Sequence, residues 1–246
     1  MTIAAQLQQI LTFLMLEAKK MTEPHVAQEQ PPSQPVPRKR CIVYVDGYNF
    51  YYGVICQNPQ WKWLDLHKYF SSLRLDEDVI RVKYFSAEID PHLHISGRRD
   101  RQKRYLAALK ADPDVSVYLG TYQLRDVTCK ATCKLPYQTP EEKKTDVNIA
   151  VNMMADAVKS SADALILVSG DSDMEPAVLW IDQNYPKIKI TVYIPVLPGQ
   201  NRKNFNYLNH RITCKPLPLT DVAKHLYPPV IDLGNGKTVE CPKEWA

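Results

Sequence analysis

Five consecutive apolar residues, Ala164-Leu165-Ile166-Leu167-Val168, run without alternation and stop at Ser169-Gly170-Asp171-Ser172-Asp173. A short run with no polar face predicts a strand buried on both sides, the habit of a parallel sheet covered by helices. Its two acids then sit at the carboxyl end of the strand, where open α/β sheets bind their ligands. Gly170 permits a sharp turn, and Asp171 or Ser172 can cap the helix that Met174 to Gln183 suggests. A second run, Cys41 to Val45, ends the same way at Asp46-Gly47-Tyr48-Asn49. If the two strands are neighbours, Asp46, Asp171 and Asp173 converge above one sheet edge. Like charges held that close repel, and a hard divalent cation with oxygen ligands is the simplest offset. The plainer alternative is that each aspartate only caps a helix or turn.

The rest of the chain supplies enough material for such a sheet. Its 246 residues are 45% hydrophobic, which suits one α/β domain with extensions or two small domains. A net charge of +4 fits contact with a polyanion without requiring it. Six cysteines and no recognisable secretory leader point to a reducing, cytoplasmic setting. In residues 1–21, Ile3, Leu7, Ile10, Leu11 and Leu14 recur at helical spacing, predicting an amphipathic helix. It is too short to cross a bilayer; it either docks on the domain, offers a surface for a protein partner or a second copy, or is an N-terminal extension upstream of Met21 as a start. Residues 22–40 are proline-rich and read as a linker. A domain over 41–215 follows, then an irregular C-terminal strap over 216–246 that packs on it.

Within the domain, Phe50 to Ile55 predicts a short helix whose aromatics either pack inward or stack on bases. Asp65 caps a helix through Leu66, Tyr69 and Phe70, and Val79–Phe85 forms a strand. The helix over Gly97 to Ala111 carries Arg98, Arg99, Arg101, Lys103 and Arg104, either a solvated face or a contact for a phosphate backbone. Val115–Leu119 is a further strand. Gly120 to Pro140 has no clear periodicity, but its Cys129 and Cys133 have the spacing of half a zinc site, with Cys56, Cys214, Cys241, His92 or His94 as potential partners. Reduced thiols in a loop or ribbon are the alternative. A helix starts near Thr145 or Asp146, with Val147, Val151, Met154 and Val158 as its apolar stripe. Asp146 falls in its first turn, where the macrodipole favours negative charge, while Asp156 lies too far along to join it. Strands at Lys189–Ile194 and Arg211–Cys214 complete the order.

Taken together, three segments resemble the NYN domains of the PIN-like nuclease superfamily: Tyr44-Val45-Asp46-Gly47-Tyr48-Asn49, Lys143-Lys144-Thr145-Asp146-Val147, and Val168-Ser169-Gly170-Asp171-Ser172-Asp173. The bacterial branch is most similar, through Lys62-Trp63-Leu64-Asp65-Leu66, Asp232-Leu233-Gly234-Asn235-Gly236 and Pro242-Lys243-Glu244-Trp245. The resemblance spans about Cys41 to Trp245. It implies a Rossmann-like α/β sandwich with a central, mainly parallel sheet flanked by helices, and a pocket for Mg²⁺ or Mn²⁺ built from Asp46, Asp146, Asp171 and Asp173. Asn49 would orient water or substrate. Asn152 departs from the pattern, standing where some relatives carry a further acid.

The function this implies is metal-dependent hydrolysis of RNA, single-stranded or structured, leaving a 5′-phosphate and a 3′-hydroxyl. Lys144, Arg98, Arg99, Arg101 and Arg104 would contact the RNA, and no membrane is involved. Two other classes stand beside it: a non-catalytic RNA-binding scaffold that keeps the pocket, and a small-molecule enzyme on the same frame.

Overall fold

The computed structural model describes residues 37–89, 97–129, 134–200 and 211–245. The expected N-terminal helix and nearly all of the linker lie outside the described residues. Arg38–Ala246 forms one unit.

Its centre is a seven-stranded sheet. The strands are β1 (Lys39–Asp46), β2 (Glu77–Ala87), β3 (Val115–Thr128), β4 (Pro136–Lys143), β5 (Ala164–Val168), β6 (Lys189–Ile194) and β7 (Thr213–Pro216), in the spatial order β4-β3-β2-β1-β5-β6-β7. Every pairing is parallel except β3 with β4. From β1 the chain winds outward through β2 and β3, then returns to the other side of β1 and winds the opposite way through β5, β6 and β7. The order therefore reverses between β1 and β5, and the crevice above their carboxyl ends is the topological switch point. Val45 pairs with Val168, so Asp46 and Ser169 leave the sheet side by side.

Alternate residues of the central strands feed two cores. Cys41, Val43, Val45, Ile166 and Val168 pack beneath α2 (Leu66–Leu73) and α3 (Arg98–Ala111), through Leu66, Tyr69, Phe70, Leu106 and Leu109. Ile42, Tyr44, Leu165 and Leu167 face α4 (Thr145–Val158) and α5 (Glu175–Asn184), through Ile149, Met153, Val178 and Ile181. Both faces of β1 and β5 are covered, which is why their sequences show no alternation. Asp65 caps α2 as expected, accepting from the Lys68 amide at 2.9 Å.

Several expectations need correction. β3 does not end at Leu119 but continues to Thr128 and pairs with β4 as an antiparallel ribbon. The apolar stripe of α4 is the neighbouring one: Ile149, Met153 and Ala157 are buried, whereas Val147, Val151 and Val158 are 64%, 58% and 56% exposed. A buried ion pair orients the helix. Lys83 Nζ on β2 lies 2.7 Å from Asp156 Oδ2, and Tyr44 also donates to that oxygen. The tail is less irregular than expected, because β8 (Val230–Gly234) and β9 (Lys237–Glu240) form a hairpin about Asn235-Gly236. This segment packs on the domain: Trp63 donates to the Pro228 carbonyl at 2.8 Å, and its ring lies 6.4 Å from that of Trp245. No helix among the described residues is long and apolar enough to cross a membrane.

Candidate active site at the switch point

Asp46 closes β1 and is 1% exposed. It caps α1 (Gly47–Phe50), accepting from the Asn49 amide at 2.9 Å and from Asn49 Nδ2 at 2.7 Å. Gly47 makes this seat possible, because a Cβ there would lie 2.6 Å from the Phe85 carbonyl oxygen. Ser169, fully buried after β5, donates to Asp46 Oδ2 at 2.8 Å, and its own oxygen accepts from the Asp171 amide at 3.0 Å. The Gly170 amide donates to Asn49 Oδ1 at 3.3 Å. Two strand ends are thus tied through Asn49 and Ser169. Burial pushes the Asp46 carboxyl above its ordinary range, its donors from Asn49 and Ser169 pull it back, and Asp171 pushes it up again.

Asp171 caps the turn into α5, accepting from the Asp173 amide at 3.0 Å. Asp146 stands in the first turn of α4 and is exposed. Desolvation and then the charges of Asp46, Asp171 and Asp173 push its carboxyl up to about 6. Asp146 is thus within electrostatic reach of Asp46, Asp171 and Asp173. They do not form a tight cage. Among the described residues, the group whose ligand atoms all lie within 4.8 Å of one another is His67, Asp112 and Asp114, which can hold a divalent ion. That group lies at the opposite edge of the sheet: Asp112 and Asp114 precede β3, and His67 bonds the Val79 carbonyl near the start of β2 at 2.7 Å. Among the described residues the switch-point acids do not bring three ligand atoms within 4.8 Å of one another.

Glu142 was not among the expected site residues and belongs here. It reaches the crevice on β4 and accepts from the buried Thr145 hydroxyl. Desolvation raises its carboxyl, Thr145 lowers it, and Asp46 and Asp146 raise it. In the sequence it is hidden in the charge run Glu141-Glu142-Lys143-Lys144. Only the β3–β4 pairing, which sets Tyr122 opposite Glu142, reveals it. Asn152 bonds Lys83 at 3.1 Å and the Asn148 carbonyl at 2.9 Å. A carboxylate there would meet Lys83, the lysine already paired with Asp156.

The cationic residues divide. Lys144 is exposed, with positive φ, at the start of α4. At the start of α3, Arg98 is exposed, Arg101 lies 2.9 Å from Glu244 and Arg104 3.0 Å from Asp100. The Nε of Arg99 is buried and has no hydrogen-bond partner among the described residues. Cys129 is a free thiol whose amide bonds the Leu135 carbonyl, while Cys133, His92 and His94 lie outside the described residues.

A family model described as the NYN domain matches residues 40–200. The chain is 29% identical over 194 residues to the 6-hydroxy-3-succinoylpyridine 3-monooxygenase HspA of Pseudomonas putida (strain DSM 28022 / S16), covering 66% of this chain and 61% of that protein's length. Among solved structures, a Vibrio parahaemolyticus RIMD 2210633 protein of unknown function superposes with a TM-score of 0.48 and 22% identity, covering 75% of this chain and 95% of that one.

Proposed function

This chain belongs to the NYN-domain family, whose PIN-like members are nucleases, and from that premise we propose that it hydrolyses RNA phosphodiester bonds with Mg²⁺ or Mn²⁺ at the switch-point acids. The observation that carries the reading is the buried Asp46 at the end of β1 tied through Ser169 to the Asp171 turn after β5, at the point where the sheet order reverses; Asp146 nearby is pushed up by desolvation and then by the charges of Asp46, Asp171 and Asp173. Carboxylates brought together at a ligand-binding crevice are a donor set that fits a hard cation. Asp46 and Asp171 would hold the ion, with Asp173 and Asp146 bonded to its waters. Bound there, the cation lowers the pKa of a coordinated water and offsets charge on the phosphoryl oxygens.

The protein's own groups do the rest. Asn49 and Ser169 hold the Asp46 carboxylate as a pure acceptor, with donors on both oxygens. Asp146, one of three site acids with a raised affinity for a proton and the exposed one among them, would accept one from the attacking water. Lys144 faces solvent beside it and balances phosphate charge. Labelled RNA is incubated with the purified protein and Mn²⁺, alongside Asp46→Asn and Asp171→Asn. The native chain cleaves and both variants do not; equal cleavage by all three ends the proposal. RNA binding without cleavage under any metal condition would mark a scaffold instead.

A second reading follows the Pseudomonas relative, a 6-hydroxy-3-succinoylpyridine 3-monooxygenase. Exposed tyrosine rings beside the crevice could receive such a ring. It predicts substrate-dependent oxygen uptake when the protein is given a hydroxypyridine and a reductant.

A further inference from the structure

The segment after Asp46 sorts its side chains sharply. Phe50, Val54 and Ile55 are buried, while Tyr48, Tyr51 and Tyr52 are 50%, 36% and 51% exposed. The chain passes here from the α1 turn into a π-helical turn over Tyr51–Ile55, and such turns gather at functional sites. Gly53 lets the turn sit hard against the end of β6, since a Cβ there would lie 2.0 Å from the Pro195 carbonyl oxygen. The rings are therefore held outward by packing on the far side of the same turn.

They also touch one another. The Tyr48 and Tyr52 centroids are 4.6 Å apart at 49°, and those of Tyr51 and Tyr52 are 5.1 Å apart, edge to face. At one end, Tyr48 feels the charges of Glu142 and Asp46. At the other, Lys62 Nζ lies 5.7 Å from the Tyr51 centroid, and Arg98 and Arg101 both bear on the two residues. The row thus leads from the acids to a cationic end. Isolated exposed apolar groups need no explanation, but three adjacent rings in this charge gradient do.

We propose that Tyr48, Tyr52 and Tyr51 form a stacking shelf for unpaired bases of a nucleotide strand whose phosphates reach Lys62 and Arg98 beyond it. The proposal rests on the phosphodiester reading above and adds where the strand leaves the site. Aromatic rings with interspersed cations are the recurrent means of holding single strands without reading their sequence. A base pair in a duplex presents no free face to such a shelf. Arg101, also at this end, is engaged by Glu244 at 2.9 Å.

The test measures fluorescence anisotropy of a labelled oligouridylate and of a blunt RNA duplex in EDTA, using the full chain and following cleavage in Mn²⁺ separately. The double variant Tyr48→Ala/Tyr52→Ala should weaken binding of the unpaired strand by about tenfold or more per stacked base. Tyr48→Phe/Tyr52→Phe should retain it, and Lys62→Ala/Arg98→Ala should flatten the salt dependence by about 0.7 per lost phosphate contact. Thermal unfolding checks that the exposed substitutions leave the fold intact. Unchanged affinity in the double alanine variant overturns the shelf even if cleavage persists. Lost affinity upholds it even if no cleavage is seen, in which case the hydrolytic reading alone falls. If the variant alters self-association and leaves RNA affinity untouched, the rings are a protein contact and the inference fails.

Discussion

Removing the charge of Asp146 should stabilise the metal-free protein at high pH and not at low pH. Its carboxyl is pushed from an ordinary value of 3.8 up to about 6. A raised acid binds its proton more tightly in the folded state than in the unfolded chain, so folding loses stability as pH climbs from the lower value through the upper one. At 1.36 kcal/mol per unit, about two units correspond to roughly 3 kcal/mol. That figure is an upper bound, because Asp146 is exposed and water screens its neighbours; about half survives. The α4 amino terminus favours the charge by about 0.3–1 kcal/mol, which trims the penalty further. Asp146→Asn should therefore gain about 1 kcal/mol at pH 8 in EDTA, raising Tm by roughly 2–4 °C for a domain of this size. The gain should shrink steadily below pH 6. Calorimetry of both proteins from pH 4.5 to 8 reads it directly. A loss of stability at pH 8, or a gain that does not change with pH, would refute the crowding of these carboxylates.

Two other outcomes follow from contacts rather than from crowding. Ser169→Ala deletes the donor to Asp46 and the acceptor for the Asp171 amide. Metal-dependent cleavage should fall about 10- to 100-fold with stability down by about 1–2 kcal/mol, measured by initial rates and urea unfolding. Lys83→Met strands Asp156 in a site where both side chains are about nine-tenths buried, and should cost about 3–5 kcal/mol, with Lys83→Met/Asp156→Leu recovering much of it in the same urea assay.

What could be read in advance follows from where each signal resides. β1 and β5 are buried on both faces, so their apolar runs stand out, and the acids that end them are visible as interruptions. The arrangement about Asp65 and α2 is local, and the chain states it within a few residues. By contrast, α4 has apolar residues most of the way around, and periodicity cannot choose between Val147-Val151-Val158 and Ile149-Met153-Ala157. The choice is made by Asp156 reaching Lys83 across the core, a contact 73 residues apart in the chain. Glu142 and Ser169 escaped for a similar reason. One looks like any member of a charge run and the other like a turn residue, and only pairing across the sheet gives either a role. The β8–β9 hairpin was signalled by Asn235-Gly236, a recognised hairpin dipeptide, but surrounding prolines obscured it.

Asn49 spans the line where the winding of the sheet reverses. Its amide nitrogen serves the first half through Asp46, and its carbonyl oxygen serves the second through the Gly170 backbone. Such a clasp has a direction. An aspartate of the same outline could still receive the Gly170 hydrogen but would turn a second negative oxygen on Asp46, and a leucine would leave the Gly170 amide without this acceptor while Asp46 kept only the residue-49 amide and Ser169. A single asparagine therefore acts as the hinge pin of the crevice, and its handedness, more than its size, keeps the two halves in step.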